Sequence, residues 1–182
     1  MIIDLIDKLI DRCIQLVKHK QEVSRSLLSD FVEPAYAQFE EVHNNYLETF
    51  RAYRDKLKNK NESLPELIDK IKEDNLFSEN QRSKLRVLTQ LSADPMVGQF
   101  VAGIYDYLTN PYDFIPQYDG LKWRKGQRWR TTLLRTLEMI DDKDPGRAEA
   151  AITNLDIIVE QMQDLYGSVT KRYLDVKKQL LA

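Results

Sequence analysis

The sequence predicts an all-α protein, and three observations carry that expectation. Apolar residues recur at alternating steps of three and four over long stretches near both ends of the chain. Glycine and proline are scarce, at six each in 182 residues. Several of the prolines follow an Asp, Asn or Ser in the arrangement that opens helices. No β-branched alternation bounded by glycine demands a sheet. The nearest case is LKWRKGQRWR, which has the form of a hairpin turning at Lys125-Gly126. The expected architecture is an elongated, coiled-coil-like bundle of about six or seven helices, with long first, second and last helices and an irregular segment near 109–126. It is read as a single helical domain over 1–182. A possible subdivision separates a long helical pair (1–60), short helices with the irregular segment (61–126) and C-terminal helices (127–182).

The first helix is expected over 2–29. Ile2, Ile6, Leu9, Cys13, Leu16, Val23 and Leu27 form one seam, widened by Ile3, Ile10 and Val17 and interrupted by Lys20. A face this wide suits a bundle rather than a two-stranded coiled coil. The second helix is expected over 31–59. Val32, Phe39, Tyr46 and Tyr53 recur every seven residues, and Tyr36, His43, Phe50 and Leu57 form a second row at the same spacing. Asp30 is read as its N-cap, with Glu33 three residues on and Pro34 in the first turn. The alternative is one long helix kinked at Pro34.

KNKNE (58–62) reads as a loop. Ser63-Leu64-Pro65-Glu66 is a capping box opening a short helix to about Asp74, and Ser78 to Gln81 opens another to about Leu91. Asp94-Pro95 and Asp144-Pro145 each pair an N-cap with a proline at the first helical position. Trp129, Leu133, Leu137 and Ile140 follow helical steps and predict a helix to about Asp141. The last helix runs from Pro145 to Leu181. Along it Ala148, Ile152, Leu155, Val159, Met162, Tyr166, Val169, Tyr173, Val176 and Leu180 alternate steps of four and three without a break, flanked by Ala151, Ile158 and Leu165. Gly167 weakens its middle, and the expected reason is a close helix approach.

A chain of this length buries roughly 70% of its unfolded surface and needs no disulfide or metal to stabilise it. Cys13 is the single cysteine, which points to a reducing, cytoplasmic setting. The N-terminal stretch MIIDLIDKLIDR has no basic leader region and is interrupted by Asp4, Asp7 and Asp11, so it does not read as a secretory signal. No apolar run is long enough for a transmembrane helix.

The sequence offers no catalytic machinery. His43 lies in an apolar row and is expected to be a core histidine with a hydrogen-bond partner. Glu40 and His43 have the Glu-x-x-His spacing of di-metal bundles, but His19 has Leu16 three residues before it, so the second pair those sites require is missing. Cys13 sits on the core seam, where a thiol acts as a small hydrophobe. There is no G-x-S-x-G elbow, phosphate-binding glycine loop or H-E-x-x-H. No enzyme activity, cofactor or metal is expected.

One stretch departs from helical periodicity. Residues 105–130 hold seven of the seventeen aromatics, including both tryptophans. The formal net charge of the chain is −2, yet residues 119–135 carry six bases and one acid. Lys122, Trp123, Arg124, Lys125, Arg128 and Arg130 are the candidate partner-binding residues. Interleaved rings and bases suit single-stranded nucleic acid, an anionic membrane interface or a protein interface. Trp129 is better explained as the start of a helix core, which leaves Trp123 as the ring least accounted for by packing.

Tyr107-Leu-Thr-Asn-Pro111-Tyr-Asp113-Phe-Ile115-Pro116 resembles the Y-x-x-x-P-x-D-x-I-P signature of YkvA-like small helical proteins. That family continues with further acids where this chain has Gln117 and then the basic run. The match covers ten residues and transfers no function, and it is read as convergence on a helix–turn–helix corner.

The sequence therefore points to a non-catalytic helical interaction protein, an adaptor, regulatory or assembly subunit that binds a protein partner or self-associates. The alternatives are an anionic-surface binder using 122–130 on nucleic acid or membrane, and a membrane-acting effector using its amphipathic N-terminal helix. The acids on that helix favour a core role over an interfacial one.

Overall fold

A computed structural model describes residues 2–18, 27–59, 65–66, 68–69, 95–109, 134, 137–138 and 145–181. All of them are helical, and no strand occurs among them. They form four helices: α1 (Ile2–Lys18), α2 (Glu33–Asn59), α3 (Pro95–Thr109) and α4 (Pro145–Leu181), with a π-helical turn at Leu28–Val32 leading into α2. Pro65-Glu66, Ile68-Asp69, Leu134 and Leu137-Glu138 are helical too, at positions where short helices are expected. The Ser78 capping box and most of the segment 109–126 lie outside the described residues.

The chain divides into two compact units. The first comprises Met1–Asn45, Phe77–Leu108 and Asp164–Ala182; the second comprises Tyr46–Leu76 and Thr109–Gln163. Both α2 and α4 contribute to each.

In the first unit α1 buries Ile6, Leu9, Ile10, Cys13 and Leu16, and it packs against the π-helical turn. Each such aliphatic side chain contributes about 1.5–3 kcal/mol on leaving water. Asp4, Lys8, Asp11 and Arg12 occupy the exposed face. Helix α3 starts at Pro95, whose missing N–H is harmless in a first turn. It buries Val97, Phe100, Val101, Ile104, Tyr107 and Leu108, a stripe at successive steps of three and one that marks one helical face. Leu165, Val169, Val176 and Leu180 of α4 complete the core.

In the second unit Tyr46, Leu47, Phe50 and Tyr53 of α2 are buried, as are Ala151, Leu155, Ile158, Val159 and Met162 of α4 and Leu137. Phe50 and Tyr53 meet edge to face at 6.2 Å. Arg54 reaches across from α2 to Asp156 at 3.2 Å and also contacts its neighbour Asp55.

Two sequence expectations are corrected here. Asp30 is not an N-cap: the chain is already helical at Leu27, and the Glu33 N–H donates to the Leu28 carbonyl across the widened turn. The Asp30 carboxylate instead accepts from Ser29 Oγ at 2.9 Å. The physical reason is burial. Leu27, Leu28 and Val32 are core residues, so a helix that began at Asp30 would release the two leucines from the helical face that buries them. Pro34 has no N–H to return to the Asp30 carbonyl, and a π-turn just ahead of it absorbs that gap. Gly167, the second correction, does not mark a close helix approach. It is exposed, and a Cβ added there would meet nothing within 4 Å. The close approach lies at Gly103, where an added Cβ would come within 2.9 Å of Arg172 Nη1 and 3.2 Å of Val169 Cγ2.

Candidate functional site

All of the sequence-predicted site residues (Lys122, Trp123, Arg124, Lys125, Arg128 and Arg130) lie outside the described residues. The densest concentration of chemistry among the described residues is in the first unit, where the first half of α2 faces the second half of α4. The two helices run antiparallel there, because Glu33 pairs with Lys177, Tyr36 with Tyr173 and Glu40 with Tyr166.

This contact is a ladder of rings. Tyr36 stacks on Tyr173 at 4.0 Å with planes 7° apart. Two turns along, His43 stacks on Tyr166 at 4.0 Å and 12°. Phe39 lies between, 5.7 Å from Tyr166 and edge-on to Tyr107 of α3 at 5.0 Å. The seven-residue spacing of Tyr36 and His43 on α2, matched by Tyr166 and Tyr173 on α4, produces the repeat. Offset stacks and edge contacts of this kind add about 0.5–1.5 kcal/mol beyond area burial.

The polar edge of the ladder follows from counting protons. Tyr166 Oη donates to Glu40 Oε1 at 2.8 Å. Thr170 Oγ1 donates its proton to the Tyr166 carbonyl at 2.9 Å. The Tyr36 hydroxyl then has a single proton to share between two acceptors, Thr170 Oγ1 at 2.9 Å and Tyr166 Oη at 3.1 Å. Burial first, and then these hydrogen bonds, push the Tyr166 phenol well above its ordinary value. At the outer end Lys177 Nζ binds Glu33 at 2.8 Å and lies 5.8 Å over the Tyr173 ring.

His43 is 4% exposed, and its Nδ1 lies 2.9 Å from Tyr107 Oη. It is thus a core histidine with a partner, as its place in an apolar row implies. Glu40 turns to the Tyr166 hydroxyl and His43 to Tyr107, so the two residues serve separate hydrogen bonds. Among the described residues no group of three or more His, Cys, Asp and Glu is placed to hold a metal ion. Cys13 is fully buried, and burial pushes its thiol up to about 12, away from nucleophilic use.

Two features were not singled out in the sequence. Arg172 crosses Gly103 to donate to the Gln99 carbonyl at 2.9 Å and approaches Asp106 at 3.9 Å. A residue without a side chain at the fourth position after Gln99 leaves that carbonyl open to a second donor. In the second unit, two buried side-chain oxygens have no hydrogen-bond partner among the described residues: Asn154 Oδ1 and Gln161 Oε1. They are seven residues apart on α4, and an unmet buried oxygen costs about 1–3 kcal/mol.

No family model, curated protein or solved structure matches this chain. Among the described residues no helix is long and apolar enough to cross a membrane.

Proposed function

We propose that the chain is a non-catalytic helical interaction protein, an adaptor, regulatory or assembly subunit of a larger complex, built from about six or seven helices and working in the reducing cytoplasm. The observation that carries this reading is how its reactive groups are employed. His43 is stacked and hydrogen bonded in the core, Cys13 is a buried, protonated thiol, and Tyr36, Tyr107 and Tyr166 hold helices together. Alongside that interior, Leu174 and Leu181 stand out on the surface of α4. The test is a lysate pull-down on wild type and Trp123→Ala compared by mass spectrometry, with mass measured by light scattering. Recovery of a protein at stoichiometric level, or a stable oligomer, is the expected result. A strict monomer that recovers nothing would sink the reading.

A second reading has compositional support. The concentration of positive charge over 119–135, on a chain of net charge −2, suits an anionic-surface binder working through Lys122, Trp123, Arg124, Lys125, Arg128 and Arg130. Its affinity for nucleic acid or acidic lipid should fall steeply with salt. Binding left unchanged when the five bases become glutamine would exclude it.

A further inference from the structure

We propose that Tyr166 is a redox-active tyrosine, the point where one-electron oxidation of the ring ladder settles, with Glu40 taking its proton. The oxidants it answers to are freely diffusing inorganic radicals, of which the carbonate radical anion is the simplest. The inference goes beyond the interaction reading and does not depend on it.

A phenol near neutral pH gives up an electron readily only when its proton leaves in the same event, because the radical cation is otherwise strongly acidic. That transfer needs a base at hydrogen-bond distance. The three phenols of the ladder on α2 and α4 differ in this respect. Tyr173 lies beneath the Lys177 ammonium, 5.8 Å from its ring, and Glu33 binds the same ammonium. A nearby cation makes loss of an electron harder. The acceptors of Tyr36 among the described residues are hydroxyl oxygens, Thr170 Oγ1 and Tyr166 Oη, and a hydroxyl is too weak a base to keep a proton. Tyr166 instead donates to a carboxylate, Glu40 Oε1, at 2.8 Å. It therefore combines a competent base with an anion at its oxygen. A fourth phenol, Tyr107, is 2.9 Å from His43 Nδ1, but both residues are buried, so a proton moved there would leave a cation in the core.

The rings are close enough to pass the oxidation along. Tyr173 stacks on Tyr36 at 4.0 Å, the Tyr36 and Tyr166 oxygens are 3.1 Å apart, and His43 covers Tyr166 at 4.0 Å. An electron vacancy formed at the outer end thus moves from a ring beside a cation to a ring beside an anion. Glu40 is exposed and Tyr166 partly so, which lets a small radical reach the phenol. In the step itself the carbonate radical anion takes one electron from Tyr166 and leaves as carbonate. The Tyr166 O–H proton passes to Glu40 Oε1, and a neutral phenoxyl radical then faces a neutral carboxylic acid. A thiol or ascorbate restores the phenol by giving a hydrogen atom to the phenoxyl oxygen, and Glu40 returns its proton to water.

The test uses the full chain and carbonate radical anion generated by pulse radiolysis of a bicarbonate solution. The phenoxyl absorption band gives the rate of radical formation. Its position is read by peptide mass spectrometry in a parallel sample containing nitrite, whose oxidation supplies nitrogen dioxide that converts the radical to nitrotyrosine. The wild type is expected to collect nitration at Tyr166. Glu40→Gln keeps a hydrogen-bond acceptor but not the base, and it is expected to slow radical formation at Tyr166 by about tenfold or more. A hydrogen bond with a merely structural role would leave that rate unmoved. Tyr166→Phe keeps the ring stack and is expected to spread nitration over other tyrosines. Lys177→Gln is expected to let Tyr173 retain a share of it. Tyr105→Phe, on α3 outside the ladder, should change nothing. Circular dichroism checks that each variant is folded, and the exposed Glu40→Gln decides the matter if Tyr166→Phe is not. Nitration that follows exposure alone, a radical that rests on a tryptophan, or a rate at Tyr166 unchanged in Glu40→Gln overturns the proposal.

Discussion

Gly103 and Gly167 show how far one atom's surroundings decide a residue's meaning. Gly167→Ala adds a methyl group to open space and removes a helix-weakening residue, so it should stabilise by up to about 1 kcal/mol, read as a higher urea midpoint. At Gly103 the same change brings a methyl to 2.9 Å from Arg172 Nη1 and 3.2 Å from Val169 Cγ2, so the guanidinium must shift against its bond to the Gln99 carbonyl. The propensity gain is then offset by the weakening of that exposed hydrogen bond and by the crowding. Gly103→Ala is therefore expected to destabilise the wild type. In an Arg172→Ala background it should become neutral or stabilising, and a double-mutant cycle measures that change. The sequence held part of this difference. Gly167 lies on the side of α4 opposite Leu165 and Val169, so its outward position follows from helical phase alone. That Gly103 meets Arg172, sixty-nine residues away, depends on tertiary pairing that no local spacing encodes.

At the scale of elements, α4 was the most legible. Asp144-Pro145 announces its start, and an unbroken apolar period carries it to Leu181, the bounds the structure has. The two seven-residue rows of α2 were legible as well, since Phe39, Tyr46, Tyr53, His43 and Phe50 are all buried. The π-turn was not, because Asp30-Phe-Val-Glu33 has the composition of a capping box whether or not the helix begins there. Only the burial of Leu27 and Leu28 settles it. Nor does spacing on one helix show that Tyr166 falls on His43 and Tyr173 on Tyr36, since the register between helices is set by packing. Buried and exposed contacts between elements should also differ in weight. Ile10→Ala empties a fully buried site on α1 and should cost about 2–5 kcal/mol. Arg54→Ala removes an exposed bridge to Asp156 and should cost no more than about 1 kcal/mol, with the difference shrinking in high salt. Urea unfolding of both variants at low and high ionic strength checks the contrast.

For the whole molecule, pH is the informative variable. The folded chain holds the Cys13 thiol up to about 12 against an ordinary 9.0, and it raises the Tyr46 and Tyr166 phenols above 10.0, chiefly through burial. The unfolded chain releases those protons at lower pH than the folded one. Their contribution to stability is complete below about pH 9 and is lost as pH rises, first through the thiol range and then, above about pH 10, through the phenols. Stability should therefore decline on the alkaline side from about pH 9. In Cys13→Ala the part of that slope nearest pH 9 should disappear, although the variant begins less stable through lost packing. Denaturant melts across pH 7–11 make the comparison.

The way the chain threads its two compact units has a practical consequence for dissecting it. One unit is assembled from three separate stretches of the chain and the other from two. Neither can be excised as a single stretch of coding sequence, and any truncation short enough to remove one would also cut into the helices of the other. Loss of binding on deletion would then report a broken fold rather than a missing site. Point substitutions on exposed faces, with the backbone left whole, are the experiments that can assign a function to this molecule.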